Sequence, residues 1–295
     1  MESLYGGFDL AQLRSEDTWH AIAPSLHVCD SAFWQSQQAL QLDDTTIDTL
    51  AQLTTREGYF QTDPVDWQLP VYDMANLIHA LRQLRIPPVF GFVYDEFWLM
   101  YVKMQPVLAR ILGDDYVTLP NVWAWHIDPA ANEHGWRPHR DRGRASIFED
   151  GRPKILNVWL PLTDATPING CMYIVPADRD PTYNTAEEMN MQYQLNDIRA
   201  LPAAAGSMLA WNQAVLHWGS HAAPRIATPR ISIGAEFQRR DVAPFSEPFL
   251  EPGTQPTFAA RLWMIAEQFK RYRHHHPDDA GLAFLADNLV PGSAS

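Results

Sequence analysis

Along the first 115 residues, apolar side chains recur at helical spacing. Ile47, Leu50 and Leu53 share one face, with Asp43 or Asp44 placed to cap it. Met74, Leu77, Ile78, Leu81 and Leu84 share a second face, behind Asp73 as its N-cap. Phe97, Tyr101, Met104, Leu108 and Ile111 step by four, three, four and three, which predicts one continuous helical face. Pro87-Pro88 separates these last two stripes. From residue 116 to 237 the texture changes. Short runs rich in Val, Ile, Trp and Tyr, divided by Pro, Gly and Asn, predict strands at 117–126, 137–141, 155–162, 171–175, 207–211, 214–218 and 231–237. Such a series belongs to an all-β barrel or sandwich. A long polar stretch, 177–202, interrupts it, and insertions of that length are commonly lids or binding loops. Phe258, Leu262, Ile265, Phe269 and Tyr272 mark a last helix near 258–272. No repeat or linker divides the chain. One domain over 1–295 is expected: a helical part (1–115), a β core (116–240) carrying the insertion, and a C-terminal helical extension (241–295).

Composition narrows the class. A 295-residue chain that is 46% hydrophobic can bury a core without staples. Cys29 and Cys171 form no CxxC pair, which fits a reducing compartment rather than a disulfide framework. The start, Met-Glu-Ser-Leu-Tyr-Gly-Gly, has neither the basic nor the apolar region of a signal peptide, and no apolar run is long enough to span a bilayer. A cytoplasmic location is the expectation. The net charge of −13 disfavours nucleic acid or an anionic membrane as partner. One segment departs from this acidity: Arg137, Arg140, Arg142, Arg144, Arg152 and Lys154 stand among only Asp141, Glu149 and Asp150. It is either a solvated loop or a cationic rim for an anionic substrate.

Candidate chemistry lies in the same segment. In His139-x-Asp141 an imidazole and a carboxylate two apart on a strand project to one face. A further His from another strand would complete a two-His, one-carboxylate set with open positions, which suits Fe(II) binding a bidentate cosubstrate and O2. The pair alone is weak, because His126-x-Asp128 repeats it. Downstream residues favour the first. His217 closes the run Ala-Val-Leu-His-Trp-Gly, and Arg230-x-Ser232 opens the strand-like 231–237. A bidentate guanidinium with a hydroxyl on the same face can grip a distal carboxylate. His221 is a weaker rival ligand, and His274-His275-His276 read as a solvated terminus. The chain contains no Ser-His-Asp nucleophile elbow, phosphate loop or cysteine zinc spacing.

Taken together, His139-x-Asp141, His217 and Arg230-x-Ser232 resemble the phytanoyl-CoA dioxygenase family of Fe(II)/2-oxoglutarate oxygenases, which includes ectoine hydroxylase. The likeness extends to Trp159, to Asn169-Gly170-Cys171-Met172-Tyr173-Ile174-Val175-Pro176, to Leu201-Pro-Ala-Ala-Ala-Gly206-Ser-Met-Leu-Ala-Trp and to Asp150-Gly-Arg-Pro153, over about residues 115 to 240. It departs at Ala177-Asp178-Arg179, where the family has Gly-Ser-His, and in a longer His-to-Arg interval that leaves Arg225 as an alternative to Arg230.

The resemblance implies a mainly β fold with flanking helices and a double-stranded β-helix (jelly-roll, cupin-like) core. It implies iron on His139, Asp141 and His217, and 2-oxoglutarate on Arg230 and Ser232 with Trp159 beside it. Asn157, two residues before Trp159, should face the same pocket and donate to the cosubstrate. O2 is the second cosubstrate, and succinate and CO2 leave. A carboxylate at Asp141, where halogenating relatives have a small residue, points to oxidation without halide. Hydroxylation of a small metabolite is the expected outcome, with desaturation or ring formation as the alternative. A non-catalytic jelly-roll binding protein and a zinc hydrolase are further alternatives. The basic segment suggests an anionic or zwitterionic substrate, an amino acid or specialised metabolite, met by Arg137, Arg142 or Arg144. His126 could join them by strand parity, and 177–202 would be the lid. Neither nucleic acid nor membrane is expected as partner, and the chain would be a monomer or homodimer.

Overall fold

The computed structural model of the chain describes residues 7–273 and 279–290. The His274–His276 run, and the first six residues of the N-terminal stretch read above, lie outside them. Three short helices come first: α1 (Leu10–Leu13), α2 (Glu16–Ile22) and α3 (Ser31–Ser36). In α4 (Asp44–Arg56), Asp43 is the cap as expected, its carboxylate accepting from the Thr46 N–H. α5 spans Val71–Gln83 and begins behind Pro70, so Asp73 is not its cap. It lies in the first turn, where its charge faces the helix dipole.

The single helix expected through Phe97 and Ile111 is two, α6 (Asp95–Lys103) and α7 (Gln105–Leu112), which meet at Met104. Pro106 explains the break. It has no N–H to continue the ladder, its ring would strike the preceding turn, and it is well placed near the start of a new helix. The apolar stripe survives because both helices bury the same side: Phe97, Tyr101, Met104 and Leu108 are all within 3% of full burial.

Among the described residues, eight strands pair antiparallel. The larger sheet has the order β1 (Tyr59–Gln61), β6 (Leu209–Asn212), β3 (Ile155–Pro161), β8 (Arg230–Gln238), β2 (Val117–Ile127). The smaller has β5 (Arg199–Leu201), β4 (Met172–Val175), β7 (Leu216–Gly219). Among the described residues the two sheets pack face to face without closing into a barrel. Alternation decides what each face does. On β8, Ile231, Ile233, Ala235 and Phe237 join the core shared with the helices. Arg230, Ser232, Gly234 and Glu236 take the other face, toward the smaller sheet. Trp159, Met172, Ile174, Leu209 and Trp211 fill the space between the sheets.

α8 (Phe258–Arg271), capped by Thr257, and α9 (Ala280–Asn288) cover the helical side. Antiparallel sheets with flanking helices are thus present as expected, although helix (37%) outweighs strand (19%) in residues. β1, β5 and α9 were not anticipated. Cys29 and Cys171 are free thiols. Among the described residues no helix is long and apolar enough to cross a membrane.

Candidate functional site

Between β2 and β3 the chain carrying His139 and Asp141 is not the strand its sequence suggested. Residues 137–141 make one isolated bridge, in which His139 N–H donates to His217 O (3.1 Å) and His217 N–H to His139 O (3.0 Å). Pro138, which cannot donate to a ladder, accounts for the shortness of the pairing. Arg140 anchors the segment instead, donating to Asp180 (2.6 Å), Thr182 (3.0 Å) and the Ala214 carbonyl (2.6 Å). The single bridge is still enough to set the two imidazoles side by side, 4.5 Å between ring centroids. Asp141 folds back between them, with Oδ1 3.4 Å from His139 Nε2 and Oδ2 3.6 Å from His217 Nε2. One ligand atom from each residue lies within 4.8 Å of the others.

The surroundings set the donor atoms. His139 Nδ1 is engaged by the Arg137 carbonyl (2.7 Å) and His217 Nδ1 by the Val215 carbonyl (3.3 Å). A proton on each Nδ1 leaves the Nε2 lone pairs turned to the common centre. His139 Nε2 is buried without a hydrogen-bond partner. Burial, with His139 and Arg140 nearby, brings His217 down to about 4 against the opposing pull of Asp141. Burial opposes ionisation of Asp141, but His217, His139 and the Trp211 indole hold its carboxyl below the ordinary value. Burial also acts against a charged His139, and the Asp141 carboxylate overcomes it and lifts that imidazole. At neutral pH His217 is therefore neutral and Asp141 ionised, the states a metal needs.

A chain of side chains holds Asp141 from behind. Arg142 Nη1 donates to Gln213 Oε1 (2.7 Å), Gln213 Nε2 to Asn157 Oδ1 (2.5 Å), and Asn157 Nδ2 to Asp141 Oδ2 (2.7 Å). Its direction is forced, since Arg142 can only donate and ionised Asp141 can only accept. Asn157 therefore supports the carboxylate with one of its two amide hydrogens, and it lines the cleft.

Arg230 begins β8 and is 2% exposed. Nη1 donates to the Gly170 carbonyl (2.9 Å), its guanidinium lies 5.6 Å from the Trp159 ring centroid, and Nε has no partner. Burial pushes it down to about 10. Ser232, on the same face, is fully buried with no partner for its hydroxyl. A buried cation and a buried hydroxyl with unused capacity are costly unless something polar satisfies them, and a carboxylate would. These orphaned groups fit a metal with an anionic chelator. Arg225 is exposed and drops out as the alternative.

Triad and Arg230 line one cleft of roughly 710 Å³, counting its open mouth. The expected substrate residues are not on it. Along β2, Trp123 and Trp125 face the cleft, so His126 points to the opposite side, where Nε2 meets His79 Nδ1 of α5 (3.0 Å). Arg137 and Arg144 are exposed and away from the lining, and Arg142 is taken up by Gln213 and Glu236 (3.3 Å). None of 177–202 lines the cleft. Instead Asp180 and Glu188 brace Arg140 and the Arg144 N–H. His221 is exposed, its ring tilted against that of His134 with centroids 4.4 Å apart. Asn121, Gln213, Glu236, Trp136 and Tyr272 were missed. Glu236 alone carried a signal, being in phase with Arg230 and Ser232.

The model of the family described as phytanoyl-CoA dioxygenase matches residues 41–226. No curated protein matches the chain. Among solved structures, the non-haem monooxygenase ThoJ in its apo form is 15% identical, covering 81% of this chain and 99% of its own, with a TM-score of 0.55. SnoN, a non-haem α-ketoglutarate-dependent epimerase from nogalamycin biosynthesis, is 15% identical over 72% of this chain and 95% of its own, with a TM-score of 0.52. AviO1 from Streptomyces viridochromogenes is 17% identical over 69% and 98%, with a TM-score of 0.51. At these identities the structures establish a shared fold. The family match spans well over half of the chain, which therefore belongs to the phytanoyl-CoA dioxygenase family of non-haem, 2-oxoglutarate-dependent enzymes.

Proposed function

We propose that the protein is an Fe(II)- and 2-oxoglutarate-dependent oxygenase that hydroxylates an unactivated C–H of a small molecule. His139, Asp141 and His217 hold the iron in this reading, and Arg230 with Ser232 holds the far carboxylate of the cosubstrate. The observation that carries it is a triad with ligand atoms within 4.8 Å, in one cleft with a buried arginine whose Nε is unused. When bound, Fe(II) with 2-oxoglutarate supplies oxidation of the substrate by O2, the cosubstrate leaving as succinate and CO2.

The chain's own residues bind and orient. Arg230 neutralises a carboxylate in a place water does not reach, where such a pairing is strongest. Asn157 keeps one Asp141 oxygen occupied, which leaves the other for the metal. Trp159 and Trp211 keep the region between the sheets apolar, so reactive species meet substrate rather than solvent.

Protein reconstituted with Fe(II) should release succinate from 2-oxoglutarate only when O2 is present, slowly even without substrate. His139→Ala, Asp141→Ala and His217→Ala should each abolish this. Turnover supported by Zn(II) without O2 would sink the reading in favour of a hydrolase. The outcome is read from product mass, since SnoN is an epimerase and ThoJ a monooxygenase on the same fold. A product one oxygen heavier means hydroxylation; one lighter by a pair of hydrogens means desaturation or ring closure.

A further inference from the structure

The outer half of the cleft has a chemistry that metal and cosubstrate do not use. Rings run outward from the triad: Trp136 lies 5.8 Å from His139, Tyr272 5.3 Å from Trp136, and Trp123 4.7 Å from Tyr272. Trp125 lies 6.2 Å from Trp136 and packs over Gly234, where any Cβ would come within 2.9 Å of its ring. These side chains come from β2, from the loop before His139 and from the residue that ends α8, so three separate parts of the chain converge on one aromatic wall. Glu236 stands beside it, its side chain 16% exposed. Both of its polar contacts fall on Oε2, from Asn121 Nδ2 (2.6 Å) and Arg142 Nη2 (3.3 Å). Oε1 is left to accept from a ligand.

Charge on this half cancels, Glu236 against Arg142. Among the described residues, Arg230 is the one Lys or Arg lining the cleft, and the cosubstrate takes it. An anionic aliphatic molecule would find no counter-charge here. A flat ring would find several faces, each preferring offset or edge-on contact.

We propose that the substrate is an uncharged, ring-bearing molecule whose flat body lies along Trp123, Trp136 and Tyr272 and whose hydroxyl donates to Glu236. This deepens the oxygenase reading and rests on it for bringing the reacting carbon to the triad. The full chain, loaded with Mn(II) and 2-oxoglutarate so that no turnover occurs, is titrated calorimetrically with four probes. Naringenin and 2,6-dihydroxyanthraquinone are the ring compounds; octanoate and L-leucine are the aliphatic anion and zwitterion.

Both ring compounds should bind more tightly than both aliphatic ones. Trp123→Ala and Tyr272→Ala should weaken them about tenfold or more, and Trp123→Phe should retain most of the affinity. Glu236→Gln should weaken them about tenfold, by loss of a charged acceptor. Retained Mn(II) affinity in each variant shows that the fold survives. The proposal fails if octanoate or L-leucine binds more tightly than the ring compounds, if neither ring compound binds, or if the alanine variants keep full affinity. Loss of Mn(II) binding by the unaltered protein would sink the oxygenase reading instead, and titration of the metal-free chain would still decide this one.

Discussion

Asp141 has two oxygens, and at the scale of residues the question is what keeps them apart in role. Asn157 occupies Oδ2 at 2.7 Å and is itself aligned by Gln213, which is wholly buried. Asn157→Ala leaves that oxygen free to rotate, and support of this kind is worth about tenfold to a hundredfold in metal affinity. Mn(II) binding by calorimetry should weaken by about that factor, and Gln213→Leu should give a smaller loss in the same direction. Unchanged affinity in both variants would mean the chain of amides is structural only. Gly234→Ala is a second case. With a ring carbon of Trp125 2.9 Å from the new Cβ, the indole must shift, at about 1–3 kcal/mol of stability, read as a lower urea midpoint. That His139-x-Asp141 rather than His126-x-Asp128 would lie beside His217 was legible only through the family pattern, since Arg230 and Ser232 follow both pairs alike. The supporting amides were not, since Gln213 and Asn157 are brought together by the pairing of β3 with β6 rather than by any spacing.

Among elements, α6 and α8 are tied by an ion pair with no exposure on either side: Arg261 donates to Asp95 and to the Val93 carbonyl (2.6 Å). Asp95 also accepts from the Asp30 N–H (2.8 Å) and Gln255 (3.0 Å), so α3 is held by the same carboxylate. Removing one partner strands a charge. Arg261→Ala should destabilise the protein by about 3–5 kcal/mol, whereas Asp95→Leu with Arg261→Met should recover much of it. Equilibrium urea unfolding of the two variants beside the unaltered protein separates these outcomes. Nothing in the local pattern of either helix announces the pair, because both residues sit among apolar neighbours that read as core. The errors in element boundaries have the same character. Pro106 was visible and should have broken the helix, whereas the coil at 137–141 depends on Arg140 reaching Asp180, a contact that only the folded insertion provides. Apolar stripes and strand alternation were legible, since burial imposes them residue by residue. The short strands β1 and β5 were not, being three residues each and made strands by their partners.

For the molecule as a whole, the site joins two sheets, and a ligand that binds only when they are together must stabilise the entire assembly. His217 comes from β7 in the smaller sheet, Arg230 from β8 in the larger, and His139 from the loop that bridges to β7. That the jelly-roll faces would meet was expected from family resemblance. The direction of their inner side chains follows from alternation alone, while the aromatic wall needed α8 to deliver Tyr272 from far along the chain. Linkage puts a number on the coupling. Mn(II) at a hundred times its dissociation constant adds about 2.7 kcal/mol, and for a chain of this length that raises the unfolding midpoint by on the order of 4 °C. 2-Oxoglutarate should add a second increment only when metal is present, because its chelating end has no other partner. Asp141→Ala should lose both increments. Arg230→Ala should keep the first and lose the second, which assigns the two ligands to the two ends of the cleft. A 2-oxoglutarate increment that persists in Arg230→Ala, or appears without metal, would place the cosubstrate elsewhere.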